Sequence, residues 1–344
     1  MVSANIHDFL VQKFPEYSNL EVLNLENITS GWETEILSFD VELSRSGETK
    51  KRCWISRAYP GDSGVRRAQT EYNLLQSLYS MKFPVPEVIL VETDSSWLGK
   101  PFIIMERIDG PTMENLLETA GEKRRIEIIQ RLCELAVRIH SLDWSKIQMD
   151  FDKYYSVTPD EMFLRRLDDY QKWVSESGVQ YLLPLVEWMK QNHHTIIFEK
   201  YSLLHGDFHP MNILIDSNDE PFVIDWTAAR IGDYRSDLAW SIMLAYVHSE
   251  YPVWQLIQRE YEKASGHSIK NINYFLVEAS IRRFADIFIS LSAGAESLGM
   301  LEETESTMLS SITLLTKLHD LVEGITGLRI KEIDDTIQKL SHSM

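Results

Sequence analysis

Cysteine, long apolar runs and an amino-terminal targeting pattern are scarce or missing in this sequence. Cys53 and Cys133 are the two cysteines, so no disulfide framework is predicted and a reducing cytoplasm is the expected location. No apolar run approaches the roughly 18 residues of a membrane-spanning helix, so no membrane partner is expected. The stretch from Met1 to Phe14 lacks the basic-then-apolar arrangement of a signal peptide.

Basic residues are also in short supply. The chain has 34 Lys and Arg against 52 Asp and Glu, a formal net charge of -18. Such a balance argues against nucleic acid as a partner, because nucleic acid binds basic surfaces. It is compatible with a cationic substrate and equally with an ordinary acidic globular protein. With 344 residues, 44% hydrophobic and 25% charged, the chain is long enough for two lobes with a large core.

Glycine-rich phosphate loops are absent as well. The turn between the first two predicted strands contains only Gly31, and no G-x-G-x-x-G pattern occurs. Gly99-Lys100-Pro101 lacks the earlier glycine and the Ser or Thr of a P-loop. Any phosphate binding must therefore depend on other groups.

Hydrophobic periodicity predicts the order of the elements. Strand-like runs bounded by turn residues predict three antiparallel strands at 21–29, 35–43 and 51–59 and two more strands at 87–93 and 102–106, the last a buried apolar run. Helical spacing of apolar residues covers most of the remainder. The predicted helices span 6–14, 65–79, 112–120, 125–140, 160–176, 180–193, 238–245, 253–264, 272–291 and 302–321. Strands early and helices late predict an α+β fold.

One polar stretch between short apolar runs organises the chain. It runs from Leu203 to Asp216 with the sequence LLHGDFHPMNILID, and Phe222 to Trp226 follows shortly after it. The apolar runs predict short buried strands, and the Gly and Pro between them predict a tight loop. Polar groups between buried strands are costly unless something pairs with them. The stretch therefore predicts a functional loop.

Phosphoryl transfer explains these polar residues best. Asp207 and Asn212 have the spacing D-x-x-x-x-N, and Asp225 follows on the next strand. Kinase-like sites use an Asp beside the acceptor hydroxyl and an Asn and an Asp as ligands of Mg²⁺, which prefers oxygen. Two carboxylates about 4 Å apart repel by roughly 4 kcal/mol at an effective dielectric constant near 20, so a cation would relieve them.

Other interpretations of the same residues stay open. Asp207 and Asn212 are also common turn and helix-cap residues. His205, Asp207 and His209 alternate, as the ligands of a zinc site on a strand would, although the neighbouring Gly and Pro disfavour an extended strand. Each histidine alone is expected to orient the loop by hydrogen bonds.

The stretch from His205 to Leu214, HGDFHPMNIL, together with Ile224-Asp225-Trp226, resembles the signature of the aminoglycoside phosphotransferase and choline kinase-like family. The resemblance implies a bilobal protein-kinase-like fold, with a small antiparallel-sheet lobe at 1–107 and a larger helical lobe at 108–344. It implies transfer of the γ-phosphate of ATP or GTP to a small-molecule hydroxyl. Asp207 would be the catalytic residue, and Asn212 and Asp225 would bind Mg²⁺.

The resemblance also assigns nucleotide-binding residues in the first lobe. Arg57, at the end of the third strand, would contact the phosphates in place of the usual Lys and pair with Glu71 on the following helix. Adenine would bind backbone groups near Glu106 and Ile108, with Met105 behind the ring. Ser30, Trp32 and Thr34 would lie over the phosphates.

In the second lobe the resemblance gives supporting roles and leaves the acceptor open. Asp237 would anchor the catalytic loop from beneath, and His140 would be a structural hydrogen-bonding residue. Glu250, Glu278 and Asp286 are candidates for contacting a cationic acceptor. Aminoglycosides, macrolides, amino alcohols, homoserine-like metabolites and ketosamines occur as acceptors in similar folds, and the acidic balance favours an amine-bearing one.

Two other classes of protein compete with this interpretation. A non-catalytic kinase-like nucleotide-binding protein would keep the fold without transfer, although all three catalytic positions are intact. A zinc-dependent hydrolase would use the alternating histidines. The sequence does not predict the oligomeric state.

Overall fold

A computed structural model of the chain describes residues 2–28, 34–149, 157–198, 200–248, 253–293 and 312–343. Its amino-terminal part is a five-stranded antiparallel sheet with the strand order β1-β2-β3-β5-β4. The predicted sheet is confirmed. The strands are β1 (Asn19–Ile28), β2 (Glu35–Arg45), β3 (Glu48–Ala58), β4 (Val88–Glu92) and β5 (Phe102–Glu106).

Side chains alternate between the two faces of this sheet. On β5, Phe102 and Ile104 face the first helix, α1 (Val2–Lys13), whereas Ile103 and Met105 face the second helix and the rest of the chain. Successive residues of a strand point to opposite faces, and both faces of β5 are buried. α1 covers the outer face, and α2 (Gly64–Ser80) packs on the inner one.

The carboxy-terminal part is mainly helical, as the amphipathic periodicity predicts. Capping boxes start two of the helices: Thr112 pairs with Asn115, and Thr158 pairs with Glu161. The helices are α3 (Met113–Thr119), α4 (Glu122–His140), α5 (Pro159–Glu176), α6 (Leu183–Asn192), α7 (Arg235–His248), α8 (Val253–Ser265), α9 (Ile272–Ala293), α10 (Ile312–Thr326) and α11 (Lys331–Ser343).

Four short strands support the polar loop. They are β6 (Ser202–Leu204), β7 (Ile213–Ile215), β8 (Pro221–Val223) and β9 (Arg230–Gly232). β6 pairs with β9 and β7 pairs with β8, both antiparallel. The sequence predicts the first three from their apolar runs, whereas β9 is too short and too polar to be recognised from its pattern.

The loops of this region lie against the inner face of the sheet. The Val223 amide donates to Pro84 O at 2.8 Å, and the Ile215 amide donates to Pro111 O at 3.0 Å. Phe208 and Ile213 belong to the same buried cluster as Met105. The polar loop is therefore held where the sheet and the helices meet.

Within the described residues, the predicted elements agree with the structure apart from shifts at their ends. Residues 302–311 of the helix predicted at 302–321, and Thr29 of the first predicted strand, lie outside the described residues. The apolar run predicted as one helix at 180–193 is a short 3-10 turn followed by α6, because Pro184 suits the first turn of a helix and ill suits an interior position. α11 was not predicted. No helix within the described ranges combines the length and apolarity needed to cross a bilayer.

Candidate active site

A buried carboxylate on α7 holds the start of the polar loop. Asp237 accepts the His205 amide at 2.7 Å and the Gly206 amide at 2.8 Å. His140 lies 3.4 Å from the same carboxylate. Burial raises the pKa of Asp237, but the hydrogen bond and charge of His140 outweigh it, and the net pKa is lowered. Asp237 and His140 thus occupy the supporting positions that the resemblance implies.

Gly206 allows the loop to pass close to the chain before β9. Its φ is +84°, and a Cβ atom there would lie 2.2 Å from Ala228 O and 2.7 Å from an Arg230 nitrogen. Only glycine fits a left-handed position with so little space. The catalytic loop therefore lies directly against the turn that leads to Arg230.

His205 uses both ring nitrogens inside the protein. Its Nε2 lies 2.9 Å from Ile224 O, and its Nδ1 accepts the Asp207 amide at 3.2 Å. A carbonyl oxygen only accepts, so Nε2 carries the proton. Burial lowers the pKa of His205, which keeps the ring neutral. With both nitrogens occupied, His205 orients Asp207 and is not free to bind a metal.

Three side chains surround the Asp207 carboxylate. Trp240 on α7 donates its Nε1–H to Oδ1 at 2.6 Å, Asn212 donates to Oδ2 at 3.1 Å, and His209 Nε2 lies 3.5 Å from Oδ2. Burial raises the pKa of Asp207, but His209 and then Arg282 outweigh it and hold the pKa below its usual range. Asp207 is therefore ionised at neutral pH, with 31% of its side chain exposed.

Asn212 connects the loop to the following turn. Its side-chain Nδ2 donates to the backbone oxygen of Asp207 at 2.8 Å as well as to the Asp207 carboxylate. The backbone carbonyl of Asn212 accepts the Ile224 amide at 2.9 Å. Because a carbonyl oxygen only accepts, the amide nitrogen of Asn212 must face Asp207. The side-chain oxygen, Oδ1, has no partner among the described residues.

Asp225 stands at the start of the next turn in a strained conformation. Its φ is +63°, a left-handed value that few residues other than glycine adopt. Oδ1 accepts Arg57 Nη2 at 2.6 Å and the Thr227 hydroxyl at 2.9 Å. Burial raises the pKa of Asp225, but the Arg57 charge and hydrogen bond outweigh it, so the net pKa is lowered. Oδ2 has no partner among the described residues.

The Arg57–Glu71 ion pair expected from the resemblance is present. Arg57 Nη1 lies 3.3 Å from Glu71 Oε1, and both side chains are buried. Glu71 also accepts the Tyr59 hydroxyl at 2.7 Å and the Trp226 amide at 3.3 Å. Arg57 thereby connects the sheet, α2 and the Asp225 turn through one guanidinium group.

The residues predicted to bind adenine lie where β5 leaves the sheet. Met105 is buried in the inner core, and the Glu106 amide donates to Glu87 O at 2.8 Å. The Ile108 amide has no partner among the described residues and remains available to a ligand. Thr34 is buried, whereas the predicted phosphate-covering residues Ser30 and Trp32 lie outside the described ranges.

Two of the acidic residues proposed to meet a cationic acceptor face arginines. Glu278 on α9 lies 2.8 Å from Arg166 and accepts the Ser236 hydroxyl at 2.6 Å. Asp286 lies 3.7 Å from Arg282. Both carboxylates thus lie beside arginines, and burial raises the pKa of Asp286 to about 6. Glu250 lies outside the described residues, and contact of any of the three with a cationic acceptor stays a prediction. The sequence did not predict the contacts of Glu278 because Arg166 and Ser236 lie on helices that are distant from it along the chain.

Sequence analysis also missed Trp240 as a partner of Asp207. A signal was present, because Trp240 follows Asp237 by three residues and therefore shares a helix face with it. Since Asp237 binds the catalytic loop, a donor one turn further along α7 also faces that loop.

Together, the antiparallel sheet, the mainly helical second part and the polar loop between them define a bilobal kinase-like fold. Solved structures of aminoglycoside kinases have the same fold. The APH(4)-Ia aminoglycoside phosphotransferase, solved as a ternary complex with AMP-PNP and hygromycin B, matches with a TM-score of 0.60 at 17% identity, covering 94% of this chain and 100% of that one.

The chain belongs to the phosphotransferase enzyme family. The family model matches residues 35–264, which include the ion pair of the sheet lobe and the whole catalytic loop. This match confirms the resemblance to the aminoglycoside phosphotransferase family that the motif from His205 to Leu214 indicates.

Two curated relatives are similar to parts of this chain. Mouse acyl-CoA dehydrogenase family member 10 is 26% identical over 195 residues, which cover 54% of this chain but only 17% of that protein. Hygromycin-B 4-O-kinase of Escherichia coli is 25% identical over 253 residues, covering 70% of this chain and 66% of that one. The chain thus matches a small part of the first relative and about two thirds of the second.

Proposed function

We propose that this protein transfers the γ-phosphoryl group of a nucleoside triphosphate, ATP or GTP, to a hydroxyl group of a small molecule. The convergence of Asp207, Asn212 and Asp225 at the junction of the two lobes carries this proposal. Hydrogen bonds from the turn at Ile224 to both His205 and Asn212 hold the two motif segments together. Family membership supports the same reaction class.

Asp207 would act on the acceptor hydroxyl. The hydroxyl oxygen forms a bond to the γ-phosphorus, the bond from that phosphorus to the β,γ-bridging oxygen breaks, and the nucleoside diphosphate leaves. The hydroxyl proton passes to Asp207 late in the transfer. Because the lowered pKa makes Asp207 a weak base, its main contribution is to orient the hydroxyl.

The donor set beside Asp207 fits Mg²⁺. Asn212 Oδ1 and Asp225 Oδ2 are oxygens without partners among the described residues, and a hard cation prefers such ligands. When bound, Mg²⁺ would neutralise charge on the donor's phosphates. Among the described residues, no group of three or more His, Cys, Asp or Glu side chains has the arrangement of a metal site, so the remaining ligands would be phosphate oxygens and water.

The nucleotide would bind between the lobes. Arg57 faces the catalytic turn and carries a permanent charge, which suits a phosphate contact. The free amide of Ile108 and the carbonyl of Glu106 would bind the base, with Met105 behind it. We place the boundary between the nucleotide-binding lobe, 1–107, and the acceptor-binding lobe, 108–344, at this connection.

The two competing classes make different predictions. A non-catalytic binding protein would bind Mg·ATP without transfer to any acceptor. A zinc hydrolase needs His205 as a ligand, yet both ring nitrogens of His205 are engaged with backbone groups. Metal analysis that finds one tightly held zinc per chain would favour that class.

The reaction is tested by replacing Asp207 with Asn. We expect Asp207→Asn to lower transfer by about a thousandfold, because the variant neither accepts the proton nor orients the hydroxyl in the same way. Thermal stabilisation by Mg·AMP-PNP should be retained, since the nucleotide contacts are intact. Asp219→Asn, on the exposed turn between β7 and β8, is the matched control.

Transfer at a wild-type rate by Asp207→Asn would refute the role of Asp207. Stabilisation by Mg·AMP-PNP without any transfer, over acceptors of all charge types, would favour the non-catalytic binding protein.

A further inference from the structure

An arginine cluster lies beside the loop that carries Asp207, and we define it as Arg166 on α5, Arg230 on β9 and Arg282 and Arg283 on α9. Arg282 donates to Gly206 O, and its guanidinium carbon lies 4.2 Å from the centre of the Trp240 ring. Because that ring donates to Asp207, the cluster begins one side chain away from the proposed catalytic carboxylate.

Arg230 is the least satisfied member of the cluster. One of its terminal nitrogens lies against Gly206, the residue before Asp207. Its Nε is buried without a hydrogen-bond partner, and the guanidinium forms no ion pair with any described residue. Burial, and then the charge of Arg166, lower the pKa of Arg230 to about 10. A partly buried cation without a counter-ion is costly, so this position favours an anionic ligand.

Two arginines of the cluster lack an ion pair with a described residue. Glu278 lies 2.8 Å from Arg166, and Asp286 lies 3.7 Å from Arg282. Arg230 and Arg283 form no such pair, although Asp286 and Asp207 are close enough to Arg283 to influence its pKa. These two guanidinium groups therefore have no carboxylate within ion-pair distance among the described residues.

We infer that the acceptor is a small alcohol that carries an oxyanion, either a carboxylate or a phosphate, and that Arg230 binds this anion while Asp207 orients the hydroxyl. The inference rests on the proposed phosphotransferase function and replaces the amine-bearing acceptor favoured by the overall acidity. Guanidinium groups bind carboxylate and phosphate through paired hydrogen bonds, which makes Arg suited to such recognition. Gly206 lies next to both Arg230 and Asp207. The anionic group and the reacting hydroxyl of the acceptor would therefore be only a few bonds apart.

A matched acceptor panel tests this charge preference. ADP release by the wild-type protein with Mg·ATP is measured on glycerate and gluconate, glycerol 3-phosphate and glucose 6-phosphate, glycerol and sorbitol, and serinol and kanamycin. We expect kcat/KM to be about tenfold or more higher for a carboxylate pair or a phosphate pair than for the neutral and amine pairs. Whether carboxylates or phosphates are preferred identifies the anion.

Substitutions of two arginines of the cluster test whether these side chains bind the anionic group of the acceptor. Arg230→Gln and Arg283→Gln should each raise KM for the preferred anionic acceptor by about tenfold, since each removes a charge from the anion site. KM for ATP should change less than about twofold, because neither arginine is among the residues proposed to contact the donor. Arg124→Gln is the matched control, because Arg124 is exposed and pairs with Glu127 on the surface of α4.

The outcomes separate this inference from the proposed function. Asp207-dependent transfer that prefers serinol, kanamycin or the neutral polyols would overturn the anionic acceptor but keep the kinase. A KM for the anionic acceptor that rises no more in Arg230→Gln than in Arg124→Gln would overturn the role of Arg230. No Asp207-dependent ADP release with any acceptor would count against both proposals, and failure to bind Mg·AMP-PNP would refute the kinase itself.

Discussion

At the residue scale, the direction of the Asp207 carboxylate is set by its neighbours. Trp240 donates to one oxygen, and Asn212 donates to the other. Charge-assisted hydrogen bonds of this kind are short and directional. The ring of Trp240 is in turn covered by the guanidinium of Arg282 at 4.2 Å, a cation–π contact that restrains it. If Asp207 orients the acceptor as proposed, Trp240 and Arg282 would contribute by holding its carboxylate in place.

Replacing Trp240 with Phe should reveal this positioning role. The aromatic packing is largely kept, but the donor to Asp207 is lost, so the carboxylate is free to rotate. We expect kcat to fall by about tenfold or more, with little change in KM for ATP. Steady-state kinetics with the preferred acceptor provide the measurement.

Trp254→Phe on α8 is the control, because Trp254 packs against Tyr246 and lies outside the catalytic loop. If both Trp variants lose kcat equally, Trp240 has only a packing role.

At the scale of single elements, the catalytic loop is held by buried groups from other elements. His205 connects the loop to the Ile224 turn, and Asp237 on α7 binds the two amides at its start. Each bond satisfies a polar group that has lost its contact with water. The loop has little regular structure of its own, so its shape depends on these contacts.

The pH dependence of stability should report on His205. Its pKa is lowered in the folded protein, so below the unfolded value of about 6.5 the unfolded chain binds more protons. The stabilising effect of the neutral ring is complete above that pH and declines as the pH falls. The free energy of unfolding should therefore decrease as the pH falls from 7.5 to 5.

His205→Gln keeps a donor for the Ile224 carbonyl but does not titrate. Its free energy of unfolding, measured by urea denaturation from pH 7.5 to 5, should therefore decrease less steeply than that of the wild type. His194→Gln, at an exposed histidine, should follow the wild type. Parallel curves for His205→Gln and the wild type would show that His205 does not contribute.

At the scale of the whole molecule, the two lobes meet at a buried charge network. Arg57 comes from β3, Glu71 from α2, and Asp225 from the turn after β8. One cation thus serves two carboxylates that belong to different parts of the chain. Removing it would leave both carboxylates without their counter-charge in a desolvated site, which is costlier than removing the whole network.

Arg57→Met should therefore lower the free energy of unfolding by about 3 kcal/mol, as expected for a broken buried ion pair. It should also raise KM for ATP, since the proposed phosphate contact is lost. Urea denaturation and steady-state kinetics measure the two effects.

Arg45→Met, at the exposed end of β2, is the matched control and should change stability by less than about 0.5 kcal/mol. A loss in Arg57→Met no larger than in this control would show that the network does not stabilise the junction.

Features that depend on residues close together along the chain could be predicted from the sequence, whereas features that depend on contacts between distant segments could not. The apolar run along β5 and the spacing of apolar residues along α4 predicted both elements, because each pattern lies within one segment. The catalytic loop was recognisable because its polar residues interrupt apolar runs. Arg230 gave no such signal, since its position depends on β9 pairing with β6.

The amino-acid sequence alone determined the order of the strands and helices other than β9 and α11, the polar motif from His205 to Asp225 and the family that the motif indicates. Local preferences and the spacing of apolar residues are properties of neighbours along the chain, so they can be read without coordinates. Only the tertiary structure decided which charged side chains lie close together near Asp207. The sequence as a whole is acidic, yet packing α5, β9 and α9 around Asp207 gathers four arginines there, because electrostatic interactions depend on distance in space.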